Sequence, residues 1–423
     1  MELSRRRLLQ ASLLAAASGA VAACGNNSSS KSGSSDSKEV ALWYWAGGLS
    51  DKVVADSVPQ FKDKTTVKPS VIGGDFKQKL TTTLAAGKSV PDITGIKGED
   101  IAAFLPQAKQ FVDLNTLGAD KLASQYLPWK WKQSMSTDGK QIGLGTDVGG
   151  LAMCYRSDLF KKAGLPTDRE AVSKLWPSWD DFINVGKQYV AKTGKKFVDS
   201  GTNMFNPVLA QQPVGFFDTS EKLQMDGGPK VAFDASMKAI DAGLSANLAS
   251  FQPNWDQGFK KDQFAVLACP AWMIGHIQDT APDQAGKWDI AAIPGGGGNW
   301  GGSWWTVPSQ GKNIDAAVDF VKWMVAPEQQ IEVFKTVGNL PSQPALYKDP
   351  AVLDYKKEFM SNAPTGQIFA ATAESLKPQY LGKKAGPTRV AVEDVITQVQ
   401  QGKLKSADAW AVAVKEAEKA ANS

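Results

Sequence analysis

Apolar and polar positions along this chain of 423 residues change their pattern three times. A basic start, Arg5-Arg6-Arg7, runs into a mainly apolar stretch over residues 8–20. Residues 26–38 are then almost entirely Ser, Gly, Asn, Lys and Asp. Beyond them, short β-branched and aromatic runs at 40–45, 67–72 and 92–96 predict strands. Between the last two, Phe76, Leu80, Leu84 and Ala85 recur at helical spacing, and Gly87 closes the element. Strand–helix–strand order of this kind predicts a mostly parallel sheet with helices on its faces. Ser178 with Asp181 three residues on predicts an N-cap, opening a helix through Phe182, Val185 and Tyr189 to Gly194. Residues 264–268 and 289–293 read as strands again. From Ile314 the pattern turns helical: Asn313 caps 316–325, Pro327 starts the next helix and Ser406 opens the last. There is no internal repeat.

The glycine run at 295–302 interrupts this order. Gly296, Gly298 and Gly301 fit G-x-G-x-x-G, but 303–307 reads as a strand, where a dinucleotide site needs a helix N-terminus for the phosphate. The run is therefore read as a hinge or crossover. Gly87-Lys88-Ser89 resembles the end of a P-loop, yet Thr82 stands where its first glycine belongs.

Composition excludes more than it suggests. The net charge is +4, and half of that surplus lies in the first seven residues, so a nucleic-acid partner is not expected. His276 is the one histidine, and Cys24, Cys154 and Cys269 are the three cysteines. No metal site and no cofactor are expected from such a set. Cys154 and Cys269 lie in apolar strand contexts and are read as buried thiols rather than a disulfide. Trp, by contrast, occurs 14 times.

Residues 1–23 read as an export signal, too short in their apolar part for a bilayer span of roughly 20 residues. Val21-Ala22-Ala23-Cys24 resembles the lipobox of bacterial lipoproteins, and Ser4-Arg5-Arg6-Arg7-Leu8-Leu9 resembles a twin-arginine export motif. The first resemblance implies a lipid on Cys24, with residues 24–38 as a flexible leash. The chain is then expected on the extracytoplasmic face of the bacterial cytoplasmic membrane, anchored through Cys24.

An ordered series of markers follows. Pro91-Asp92-Ile93 precedes Phe111-Val112-Asp113-Leu114, and Asp138-Gly139-Lys140 runs through Gly143-Leu144-Gly145-Thr146-Asp147 into Cys154-Tyr155-Arg156-Ser157-Asp158-Leu159-Phe160. Ser178-Trp179-Asp180-Asp181-Phe182, Gly301-Gly302-Ser303-Trp304, Ala326-Pro327-Glu328 and Gly338-Asn339-Leu340-Pro341-Ser342 complete it. In this order the chain from 39 to 423 resembles the carbohydrate-binding lipoproteins of ABC importers, relatives of maltose-binding protein. The resemblance implies an α/β, two-lobed periplasmic-binding-protein-like fold with a ligand cleft between lobes joined by crossover hinges. One lobe takes 39–149 plus 304–343, the other 150–303 plus 344–423. It also implies a permease of ABC type as partner, and a monomer.

A pyranose has apolar C–H faces, which flat rings cover, and a rim of hydroxyls, which carboxylates and amides read. Trp45, Trp272, Trp300 and Trp304 stand at strand ends or beside the glycine run, and Glu99, Asp147 and Asn206 are the polar candidates. By the family pattern Trp272 matches an aromatic of the second lobe, Glu99 a hydroxyl-binding acid and Asp147 the acid of the first crossover. Trp43 alternates with Trp45, Trp305 with Trp304, and Trp323 sits at a core spacing. His276 is read as a satisfied or surface histidine. Past the signal only Arg156, Arg169 and Arg389 remain, which suits a neutral oligosaccharide better than a carboxylate or phosphate. Cello- or xylo-oligosaccharides are favoured. A lipid-anchored glycoside hydrolase, which also needs Trp platforms and paired acids, is the competing expectation.

Overall fold

The computed structural model describes residues 38–62 and 64–423, so Cys24 and nearly all of the stretches read as export signal and leash lie outside the described residues. The described strands are β1 (Lys38–Tyr44), β2 (Thr65–Val71), β3 (Ile93–Ile96), β4 (Gly143–Gly145), β5 (Leu151–Arg156), β6 (Val266–Pro270), β7 (Trp288–Ala291) and β8 (Trp304–Thr306). Five of them form a sheet of order β2-β1-β3-β8-β4, and three form a second of order β6-β5-β7.

The first sheet is parallel only across β2, β1 and β3. β8 enters antiparallel to β3 and β4, and the second sheet is antiparallel throughout. The expected mostly parallel sheet is thus confined to three strands. The reason is the chain's path: β8 arrives from the second sheet across the glycine run and meets the first from the opposite direction.

Helices cover these sheets where the apolar periodicity places them. Phe76–Ala86 starts at Asp75, whose carboxylate accepts from the Gln78 N–H, and ends at Gly87 with φ +61°. Trp179–Thr193 starts under Ser178, whose hydroxyl accepts from the Asp181 N–H, and buries Phe182, Val185 and Tyr189. Val40, Leu42, Ile93, Leu144 and Trp305 make one core with Phe320 and Val321 of the helix Ile314–Met324. Around the second sheet, Tyr155, Phe160, Phe182 and Phe197 pack on one side of β5, and Cys154, Trp255, Cys269 and Trp288 on the other. The helix Pro327–Val337 touches both bodies, since Phe334 joins the second core while Val333 packs on the first.

Between the sheets three stretches of chain lie side by side. The Val148 N–H donates to Leu340 O at 2.9 Å, the Trp300 N–H to Gly149 O at 2.8 Å, and the Thr146 N–H to Ser303 O at 2.9 Å. Isolated bridges pair Asp147 with Pro341 and Gly150 with Asn299. Glycine is needed here for close approach: a Cβ at Gly149 would lie 1.9 Å from Trp300 O.

Cys154 and Cys269 form a disulfide, which corrects the thiol expectation. Cys154 on β5 faces Leu267, two residues before Cys269 on the adjacent strand β6, so both side chains leave the same face of the sheet. Their Cα atoms are 5.7 Å apart, within the span a disulfide bridges. The adjacency of strands 115 residues apart is a tertiary fact that apolar context does not carry. No helix among the described residues is long and apolar enough to cross a membrane.

Candidate ligand-binding cleft

A cavity of about 140 Å³ opens between the two sheets. Gly98 and Glu99, just past β3, and Gln133 form its wall on the first-sheet side. Opposite stand Asn206 and Leu209 of the helix Thr202–Ala210, then Phe216, Gln379, Tyr380 and Leu381, and Ala385, Gly386 and Arg389 of the helix Ala385–Gln400. Asn299, Trp300 and Gly301 of the crossover close the remaining side. The end of β3 reaches this crossover because residue 98 is glycine: a Cβ there would lie 2.5 Å from both Gly301 O and Gly302 O.

The polar walls are braced by their own partners. Asn206 Nδ2 donates to Glu393 Oε1 at 2.7 Å, and Arg389 Nε lies 4.0 Å from the same carboxylate. Gln379 Nε2 donates to Leu209 O at 2.6 Å, and the Tyr380 hydroxyl donates to Glu221 Oε1 at 2.7 Å. Asn299 accepts from the Gly149 N–H and donates to Gly301 O, which fixes the crossover. Across the cleft Lys77 pairs with Asp100 at 3.1 Å. Burial and then the neighbouring Glu99 charge raise the Asp100 pKa, with Lys77 pulling it back. Burial works against the Arg389 charge, but Glu393, Glu99 and Asp100 more than offset it and raise its pKa. Neither a hydrogen bond nor an ion pair engages the Glu99 carboxylate among the described residues, so it keeps its accepting capacity for a ligand in the cavity.

The structure brings Glu99, Asn206 and Trp300 to this cavity and leaves the other candidates elsewhere. Trp304 is 1% exposed, in the core of the first sheet, with Lys130 Nζ 3.3 Å from its ring centroid. As a β8 residue it points into the sheet's packed face rather than along the crossover. Asp147, 4% exposed, accepts from the Ser303 N–H at 2.8 Å and the Thr146 hydroxyl at 2.5 Å, and so braces the crossover. Trp45 is half-buried at the end of β1, edge-on to Phe76 at 5.2 Å with Lys97 over its ring. Trp272 stands behind Trp300, its Nε1 donating to Trp300 O at 3.2 Å. His276 is satisfied by Asp256 at 3.0 Å and stacks on Trp255.

Arg389, Gln133, Gln379 and Tyr380 went unread. Arg389 carried a signal, being one of three arginines beyond residue 7. The amides and Tyr380 carried none, since nothing local marks a loop residue as facing another body of the fold.

Residues 57–361 match the family described as bacterial extracellular solute-binding protein. The chain is 27% identical over 328 residues to the arabinooligosaccharide-binding protein of Bacillus subtilis (strain 168), covering 70% of this chain and 71% of that protein. It is 26% identical over 310 residues to the lactose-binding protein of Rhizobium radiobacter, covering 69% and 71%. A solved extracellular solute-binding protein of family 1 superposes with a TM-score of 0.81 at 35% identity, over 91% of this chain and 100% of that one. The binding protein from B. animalis subsp. lactis Bl-04, solved with β-1,6-galactobiose, shares the fold at a TM-score of 0.77 and 20% identity, over 90% and 96%.

Proposed function

We propose a function for a chain that belongs to the bacterial extracellular solute-binding proteins: capture of a neutral oligosaccharide between its two bodies and delivery to an ABC permease. The observation that carries it is the cavity itself. An aromatic ring from the crossover, Trp300, meets hydroxyl-reading groups from both sides, Glu99 on one and Asn206 and Arg389 on the other. Relatives named for arabinooligosaccharide and lactose support a sugar as the ligand class.

Charge favours a neutral ligand. Lys77 is paired with Asp100 and Arg389 is flanked by Glu393, which leaves Glu99 as the carboxylate a ligand meets. A uronate or phosphate would meet that like charge, whereas a sugar hydroxyl donates to it. Cello- and xylo-oligosaccharides remain the favoured chains, because the flat Trp300 ring in the cavity suits the face of a β-linked sugar. The lipobox-like sequence at Cys24 supports attachment to the membrane from outside, with the leash holding the binding body beside the permease.

A thermal-shift panel of cello-, xylo-, arabino- and malto-oligosaccharides and lactose tests the reading. A ligand at 100 times its Kd stabilises by about 2.7 kcal/mol, a clear shift in midpoint. The same sugars recovered intact after incubation agree with binding without turnover, and cleaved products would favour the hydrolase. If no sugar shifts the midpoint, the ligand class is wrong although the family stands.

A further inference from the structure

We infer that the ligand path continues beyond the cavity over Trp272 and Phe251, and that Phe251 sets the length of sugar chain the protein retains. The inference rests on the oligosaccharide reading and deepens it. Trp300, a wall of the cavity, also meets Trp272 (centroids 5.7 Å apart, 79° between planes) and Phe251 (6.3 Å, 73°). Phe251 and Trp272 are near-parallel, 25° apart at 6.1 Å. One ring thus belongs both to the cavity and to an aromatic ridge outside it.

Phe251 is conspicuous on three counts. First, it is 53% exposed, and the only other exposed aromatic side chain among the described residues is Tyr380, at 40%, which lines the cavity. Second, Phe251 has φ +62°, a left-handed backbone that a side chain adopts at a cost and glycine adopts freely. A ring is held there in spite of both water and backbone. Third, its loop is anchored. The Ser250 hydroxyl donates to Asn203 Oδ1 at 2.9 Å and the Leu248 N–H to Asp199 O at 2.9 Å. Asn203 lies on Thr202–Ala210, the same helix that carries Asn206 into the cavity. The ridge and the cavity wall are therefore one construction.

The cavity, about 140 Å³, is smaller than the roughly 300–1,000 Å³ usual for drug-sized ligands. A chain of several rings outgrows it, and the next exposed ring beside Trp300 is that of Phe251, backed by Trp272. The outlying sugar rings are the occupant assigned to the ridge.

Calorimetry with xylo-, cello- and arabino-oligosaccharide ladders of one to five sugar units tests this on the full folded chain. Wild type is expected to bind four units more tightly than two. Phe251→Gly removes the ring and relieves the backbone together; that relief offsets part of the packing lost against Trp255, Trp272 and Trp300, and the variant should stay folded. Its affinity for two units should stay unchanged while that for four falls about two- to tenfold, and Phe251→Trp should restore the gain. An equal loss at every length, no loss at any, or tighter binding of long chains overturns the inference. Failure of every ladder to bind wild type would instead remove the oligosaccharide reading, and this one with it.

Discussion

Lys130 offers the sharpest test of how the crossover is built. Its side chain is 1% exposed, its Nζ has no hydrogen-bond partner among the described residues, and burial pushes its pKa down to about 7 from 10.5, with Asp147 opposing. The groups around it are the Trp304 ring, Asp147, Gly302 and the Tyr126 ring beside Gly145. A folded pKa below the unfolded one means the unfolded chain binds the extra proton between about pH 7 and 10.5. Stability must therefore rise with pH in that window, by at most about 1.4 kcal/mol per unit. The whole displacement corresponds to roughly 5 kcal/mol, which the fold forgoes at pH 7 by holding this amine out of water. Lys130→Met keeps the length and removes the charge. It should stabilise the protein at pH 7 by about 1–4 kcal/mol, the range found when buried ions give way to apolar side chains.

The assay is urea unfolding of wild type and Lys130→Met at pH 6.5, 7.5 and 8.5, read as the difference between them. Differences are needed because Asp199, buried and pushed up to about 7, makes stability fall as pH rises from about 4 to 7 in both proteins. The advantage of the variant should shrink by about 1 kcal/mol for each unit above pH 7. Parallel pH profiles, or a variant weaker than wild type at every pH, would refute the argument.

Four other variants have definite expected outcomes. Cys154→Ala with Cys269→Ala should cost about 2–5 kcal/mol in urea unfolding, as expected for opening a loop of 115 residues, and an unchanged midpoint would count against the bridge. Glu99→Gln, in the cavity wall, should weaken sugar binding by about tenfold in calorimetry with little change in unfolding, whereas Trp304→Ala should cost about 3–5 kcal/mol of stability. Cys24→Ala should leave sugar affinity unchanged and move the protein from the membrane pellet to the soluble fraction; continued sedimentation with membranes would sink the anchor.

Several local features were legible from the sequence, although Asn313, read as a cap, makes no side-chain capping bond and donates to Glu39 O instead. Gly87 closes its helix, Ser178 caps another, and the apolar spacing of Phe182, Val185 and Tyr189 marks a buried face. The glycine run was legible as a crossover as well, since residues 295–298, 301 and 302 all take positive φ. What was not legible depends on which distant segments meet. The disulfide needs β5 beside β6, and Arg389 and Tyr380 need the helix Ala385–Gln400 and its preceding loop to face the end of β3. No spacing along the chain encodes either adjacency.

Trp300 and Trp304 show how narrow the margin is between a site and a core. They are four residues apart, of one type, and flank the same glycines, so composition and proximity rank them equally. Trp304 is the first residue of β8, where pairing with Ile96 and Gly145 fixes its direction toward the packed face over Lys130. Trp300 precedes the strand, and its backbone is held by Gly149 instead, which leaves its ring beside Glu99 and Asn206. The difference is made by Gly301 and Gly302, at φ +99° and +78°, which turn the chain between crossover and strand. A side chain at Gly302 would lie 2.8 Å from Asp147 O and 3.0 Å from Lys130 Nζ. Asp147, whose carboxylate accepts from the Ser303 N–H, thus braces the turn that aims Trp300, and so bears on the shape of the cleft.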